Sequence, residues 1–177
     1  MADLILTLIG PDRPGIVESV ADVVAAHGGN WLESRMAHLA GRFAGLLRIE
    51  APAERVDALA AALAGLESKG LRLVLEKDAG AASPGPLHAM EIELLGLDRP
   101  GLVREISDLL AGRGINVEEL RTDRFSAPMS GELLFRAQVR VDVPEKVSAA
   151  ELRRELERLA SDLMVEIRLA EALGRPR

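Results

Sequence analysis

Gly10-Pro11-Asp12-Arg13-Pro14-Gly15-Ile16-Val17 occurs a second time as Gly96-Leu97-Asp98-Arg99-Pro100-Gly101-Leu102-Val103, 86 residues further along the chain. The register holds without a gap beyond this stretch, so that Gly28 matches Gly114, Asn30 matches Asn116, Glu33 matches Glu119 and Arg35 matches Arg121. Twelve of the 26 positions from Gly10 to Arg35 are identical in the second copy. A period of this length is that of a whole domain, not of a solenoid repeat. The chain is therefore a duplication, and the two copies can be compared residue by residue.

Working outward from the turn, Leu4 to Ile9 and Ala89 to Leu95 are short apolar runs that read as strands buried on both faces. Pro14 stands where a helix can start, because its missing N–H costs nothing at the first helical position. Ile16, Val17, Val20 and Val24 follow at helical spacing, as do Leu102, Val103, Ile106, Leu109 and Leu110, and both helices run into glycine, at Gly28-Gly29 and Gly112 to Gly114. Asn30 to Leu39 and Asn116 to Phe125 read as second strands, and Phe43 to Ala51 and Phe135 to Val143 as third strands. Matching Phe43 to Phe135 gives the second hairpin six extra residues, around Ser126 to Gly131. Val56, Leu59 and Leu63, and Leu152, Leu156 and Leu159, mark a second helix in each copy. Leu71, Leu73 and Leu75, and Val165, Ile167 and Leu169, alternate as fourth strands.

Each copy thus reads strand–helix–strand–strand–helix–strand. The expected class is α+β: two ferredoxin-like βαββαβ domains, each a four-stranded antiparallel sheet with two helices on one face. The domains are placed at 1–77 and 88–171, joined by an Ala-, Gly-, Ser- and Pro-rich linker at 78–87 and followed by a flexible tail at 172–177.

Composition narrows the function. The net charge is −6 and no Lys/Arg cluster stands out, which argues against direct binding of nucleic acid. Aromatic residues make up 2% of the chain, too few for platforms that stack bases or sugars. The absence of cysteine removes disulfides, thiolate catalysis and Cys-based metal sites. Met1-Ala2-Asp3 leads straight into a strand without a basic segment, and no apolar run is long enough to span a bilayer, so a cytoplasmic location without membrane contact is expected.

The repeated polar residues suggest a ligand chemistry. A glycine lets backbone approach a ligand closely, and a helix start offers unpaired N–H groups with partial positive charge, which suits a carboxylate. Asp12 or Asp98 can cap the helix or accept a hydrogen bond from a ligand ammonium. Asn30 or Asn116, expected beside the loop, can both donate and accept. Together these are the requirements of a free α-amino acid. A purely structural account stands beside it: Asp-Arg-Pro-Gly is good turn chemistry, and an asparagine after glycine tolerates an unusual backbone angle.

The Asp-Arg-Pro-Gly turn, its apolar helix positions and Trp31-Leu32-Glu33-Ser34-Arg35 resemble the signatures of the ACT domain, a small module that binds amino acids, and the resemblance covers both copies. A pair of such domains with nothing attached is similar to the glycine cleavage system transcriptional repressor family. That resemblance implies an amino-acid sensor, with glycine or serine as first ligands to consider. It implies control of a regulatory protein partner by contact, without DNA binding and without a cofactor, and it is compatible with a homodimer. It also implies ligand sites at Asp12, Arg13, Pro14, Gly15 and Asn30, and at Asp98, Arg99, Pro100, Gly101 and Asn116, commonly where two ACT domains meet. Val117-Glu118-Glu119-Leu120-Arg121 departs from the second-strand pattern, so the two sites are expected to differ.

Catalysis is not expected. His27, His38 and His88 have no zinc-ligand spacing, Ser34 lacks a nucleophile-elbow context, and no glycine-rich phosphate cradle is present. Arg13 with Asn30, and Arg99 with Asn116, imitate the pair used by acylphosphatase-like enzymes, but Asp12 and Asp98 would repel a phosphate. The remaining alternative is an interaction or dimerisation module without a small ligand, built on strand edges.

Overall fold

Leu4, Leu6 and Leu8 are fully buried while Thr7 and Ile9 between and beyond them face outward. That alternation sets the architecture of the first half of the molecule. The structure, a computed structural model, describes residues 1–78, 80 and 85–172. The chain divides into two compact units, Met1–Ala82 and Ser83–Arg177. Most of the expected linker and tail, residues 79, 81–84 and 173–177, lies outside the described residues.

In the first unit, β1 (Ala2–Pro11), α1 (Ile16–Ala26), β2 (Asn30–Leu39), β3 (Arg42–Ala51), α2 (Val56–Ala64) and β4 (Arg72–Lys77) follow in that order, with 3-10 turns at either end of α2. The second unit repeats this as β5 (Leu87–Leu97), α3 (Leu102–Gly112), β6 (Asn116–Ser126), β7 (Leu133–Pro144), α4 (Ala149–Leu163) and β8 (Val165–Glu171). The sheets run β2-β3-β1-β4 and β6-β7-β5-β8, and every neighbouring pair is antiparallel. These are ferredoxin-like α+β units.

Each sheet buries one face under its two helices. In the first unit Leu4, Leu6, Leu8, Leu47 and Ile49 pack with Ile16, Val20 and Val24 of α1 and Leu59 and Leu63 of α2. In the second, Met90, Ile92, Leu94, Val139 and Val141 pack with Leu102, Ile106 and Leu110 of α3 and Leu152 and Leu156 of α4. Each fully buried aliphatic side chain contributes about 1.5–3 kcal/mol. The central strands were expected to be buried on both faces, and this is corrected. With both helices on one side, the other face of each antiparallel sheet carries whatever β1 and β5 point away from the core. Val17 and its counterpart Val103 likewise lie off the buried stripe of their helices.

The outer faces differ in one row. Across the first sheet, Leu46, Thr7 and Val74 form one row, with Leu46 and Val74 exposed. The same row in the second sheet reads Gln138, Glu93 and Arg168. Beside it Arg140 is paired in register with Glu91 and Glu119, and at the hairpin end Arg136 donates two hydrogen bonds to Asp123 at 3.0 and 2.8 Å. The Arg136 guanidinium holds the Asp123 carboxyl below its ordinary pKa.

The hairpins show the expected difference in length. β2 and β3 are joined by Ala40 and Gly41 alone, both at positive φ, the geometry that a two-residue hairpin needs. β6 and β7 are joined by a longer loop closed by the Ala127 N–H on the Glu132 carbonyl at 2.8 Å. Each second strand carries a bulge at the same place, between Trp31 and Glu33 and between Val117 and Glu119.

Two predictions follow from packing and charge. A Cβ at Gly96 would lie 2.3 Å from Val165 Cγ1 and 2.8 Å from its Cβ, whereas one at Gly112 meets nothing within 4 Å. Gly96→Ala should lose about 1–3 kcal/mol in urea denaturation, and Gly112→Ala should lose nothing or gain up to about 1 kcal/mol; equal effects would contradict this packing. For Asp123, the depressed folded pKa means that its pairing favours the fold above the unfolded pKa and that this is lost as pH falls through the folded value, below about pH 4. Arg136→Ala should raise the Asp123 midpoint in an NMR carboxyl titration; an unchanged midpoint would refute the pairing.

Candidate functional site

The repeated turn lies where β1 ends and α1 begins. Its first residue is glycine for a packing reason. A Cβ at Gly10 would come within 2.5 Å of Leu71 Cδ2 and 3.2 Å of the Gly70 carbonyl, where the chain enters β4; Gly96 is pressed by Val165 in the same way. Gly15 and Gly101 are required by conformation, with φ of 85° and 98°, values that an L side chain adopts only with strain.

These glycines are the N-caps of α1 and α3, so both helices start later than expected, at Ile16 and Leu102 and not at Pro14 or Pro100. A left-handed residue has to complete the turn after the proline before helical angles can begin. Asp12 and Asp98 were candidates to cap the helices; they do not, and no side chain caps either helix start. Among the described residues, no side chain caps these first turns, which leaves the N–H groups of α1 and α3 with the positive end of the helix dipole for an anion. The loop residues Asp12, Arg13, Pro14 and Gly15 are all exposed.

Both aspartates are held by their backbone. The Asp12 N–H donates to the Gly41 carbonyl at 3.0 Å and the Asp98 N–H to the Leu133 carbonyl at 2.9 Å, which fixes each loop against its hairpin. Their carboxylates have different neighbours: His38 Nδ1 lies 3.7 Å from Asp12 Oδ2, and Arg124 Nη1 lies 3.3 Å from Asp98 Oδ2. Arg13 donates to the Lys69 carbonyl and so ties the loop to the approach of β4. Arg99 and Pro100 are exposed at the matching positions of the second loop.

Asn30 and Asn116 are not beside the loops of their own units. Asn30 pairs with Glu50, which pairs with Asp3 at the start of β1, while the loop follows Pro11, paired with Arg42 at the other end. Asn116, paired with Asp142, is placed in the same way. Eight strand steps, from Asp3 to Pro11, separate the two ends, about 26 Å at the usual rise. The reason is topological: α1 returns the chain along the whole sheet before β2 begins. The asparagines also have no unusual backbone angle, since the positive φ values after the helices belong to Gly28 and Gly114. Asn30 Nδ2 donates to Glu50 at 3.2 Å, and Asn116 Nδ2 donates to Glu118 at 2.9 Å.

His38, weighed in the sequence only for metal spacing, and Arg124 and Lys69, which the sequence did not single out, belong to this neighbourhood. The offset of 86 that aligns the turns also places His38 on Arg124, and that signal was available. The Lys69 carbonyl is backbone and carried none. Among the described residues, no group of three or more His, Cys, Asp or Glu side chains could hold a metal ion, and no helix is long and apolar enough to cross a membrane.

Comparison with known proteins extends these observations. The ACT domain family matches residues 2–75 and 88–170, that is, both units. The chain is 24% identical over 162 residues to the glycine cleavage system transcriptional repressor of Escherichia coli (strain K12), covering 90% of this chain and 85% of that protein. The repressor of the same name from Shigella flexneri matches equally. Among solved structures, a protein of unknown function from Galdieria sulphuraria superposes with a TM-score of 0.86 at 27% identity, over 97% of this chain and 99% of that one. A candidate glycine cleavage system transcriptional repressor superposes with a TM-score of 0.71 at 22% identity, over 96% of each chain.

Proposed function

This chain belongs to the ACT domain family, and on that premise we propose that it is an amino-acid sensor that regulates a protein partner by direct contact. The observation that carries the reading is the loop after the central strand. There an aspartate carboxylate stands three residues before the N-cap and four before the first residue of an uncapped helix, and its own N–H holds the loop against the hairpin. A ligand carboxylate takes the open N–H groups of α1, and its ammonium takes Asp12. Asp98 and the start of α3 form the corresponding pair in the second unit. Arg13 serves by positioning the loop through Lys69. Asn30 and Asn116 stand outside this cluster and are not needed for it.

A bound amino acid can change the output only by binding one arrangement of the protein better than another. The partner it acts on is a regulator of transcription or metabolism, in keeping with the relatives named as repressors of the glycine cleavage system, and glycine is accordingly the first ligand to test, with serine next. The negative net charge fits a protein that acts through another protein and not by gripping DNA itself.

One observation favours a second reading, an interaction module without a ligand. Leu46, Val74 and Ile9 leave exposed apolar side chains on the outer face of the first sheet, which a partner surface would bury.

Isothermal titration with glycine, serine and then the other proteinogenic amino acids separates the two. Saturable binding is expected, weakened at least about tenfold by Asp12→Asn, the loss of one charge-assisted hydrogen bond of about 1.5–3 kcal/mol. No heat with any amino acid at millimolar concentration would rule the sensor out and leave the interaction module.

A further inference from the structure

The two loops share a backbone but not a charge environment, and one position accounts for the difference. His38 and Arg124 occupy the same site on β2 and β6, opposite Phe43 and Phe135 in the register of each hairpin. Each stands over the carboxylate of its own turn: His38 Nδ1 at 3.7 Å from Asp12, Arg124 Nη1 at 3.3 Å from Asp98. The Asp98 side chain is also the more enclosed, 25% exposed against 42% for Asp12.

These two neighbours treat a carboxylate differently. A guanidinium keeps its charge at every accessible pH and has only donors, so Asp98 is permanently matched by a cation that also donates to it. An imidazole is ordinarily uncharged on the alkaline side of neutrality and then imposes no positive charge on its partner. A second exchange points the same way. Glu18 in the first turn of α1 lies near Gly15, its Oε2 3.7 Å from where a Cβ on that glycine would stand. Its counterpart Arg104 turns to Asp108 at 3.4 Å. An arriving ammonium therefore meets carboxylates at the first loop, and at the second it meets a carboxylate with a guanidinium already on it.

We propose that the two copies of the loop are not equivalent sites: the first accepts the ammonium of a zwitterionic amino acid at Asp12, and Arg124 weakens the same contact at Asp98. Residue 38, with its counterpart 124, determines which copy takes the ligand more tightly. This rests on the reading of the loop as the amino-acid site. An ammonium entering the second site has to displace Arg124 from Asp98 and remain beside a like charge. An exposed ion pair is worth up to about 1 kcal/mol, so the discrimination expected from this position is about fivefold. The other charged groups at this end of the first unit, Arg13 on the Lys69 carbonyl, Glu18, Lys69, Arg42 and Arg72, are the same whichever residue stands at 38. Exchange at that position therefore changes one charge only.

The test is calorimetric titration of the full chain at pH 8 with glycine, serine and the remaining proteinogenic amino acids, comparing wild type with His38→Arg, His38→Gln and Arg124→His. Both side chains are largely exposed, so the variants should keep their fold, which circular dichroism verifies. Two unequal sites about fivefold apart are expected for wild type and for His38→Gln, weakening of the tighter site by about fivefold for His38→Arg, and two nearly equal sites for Arg124→His. Binding abolished by Asp98→Asn and kept by Asp12→Asn, or two equal sites in the wild type, would overturn the proposal while leaving the sensor reading in place. Unchanged affinity in His38→Arg would overturn it too. No binding of any amino acid would overturn both.

Discussion

Leu4, Leu6 and Leu8 in the first unit, and Met90, Ile92 and Leu94 in the second, have to lie out of water beneath a pair of helices. Because side chains alternate along a strand, this fixes which residues of β1 and β5 face away, and the antiparallel registers carry the choice across each sheet. The same packing brings the entry to β4 and β8 so close to the end of the central strand that only glycine fits, at Gly10 and Gly96. The chain must leave the sheet there and turn over its upper edge. A left-handed glycine then completes the turn, and because glycine has no side chain the helix begins uncapped. The open N–H groups that make the loop a candidate site thus descend from the burial of one apolar row.

With the scaffold held constant, the surfaces have diverged. A row that reads Leu46, Thr7, Val74 in one sheet reads Gln138, Glu93, Arg168 in the other, although the inner residues remain aliphatic in both. Substitution on an outer face costs little, since neither the core nor the backbone hydrogen bonds depend on it. Core positions have no such freedom. A duplicated fold can therefore keep one frame in both copies and still carry an apolar row on one outer face where the other has an ionic one, and it can place a histidine in one copy where an arginine stands in the other.

The order of elements was legible in the sequence because apolar spacing reports burial directly: Asn30–Leu39 was bounded as the structure has it, and Val56, Leu59 and Leu63 mark α2. The repeat made the doubling certain, and the hairpin insertion could be placed from Phe43 and Phe135 alone. What failed was long-range geometry. Asn30 comes soon after the loop in sequence, yet adjacency in the chain is not adjacency in space, because an intervening helix of eleven residues carries it to the far end of the sheet. The helix starts were misplaced because Pro14 satisfies a helical φ, whereas the left-handed angle of Gly15 leaves no trace in an apolar pattern. The double burial assigned to β1 came from Ile5 and Ile9, whose apolar character reflects the outer face of the first sheet and not a second layer of structure. For the Arg13 contact no pattern was available, because its acceptor is a main-chain carbonyl.

The distribution of aromatic residues gives the duplication an optical asymmetry. Trp31 is the one tryptophan of a chain without tyrosine, and it packs against the core of the first unit from the inner side of β2. The second unit holds only Phe125 and Phe135. Excited in the indole band, the protein emits from its first half alone, and the second half is dark. Fluorescence consequently follows one ACT domain while far-ultraviolet dichroism follows both. If the two transitions do not coincide on heating or in denaturant, the halves unfold separately, and the emission identifies which of them was lost.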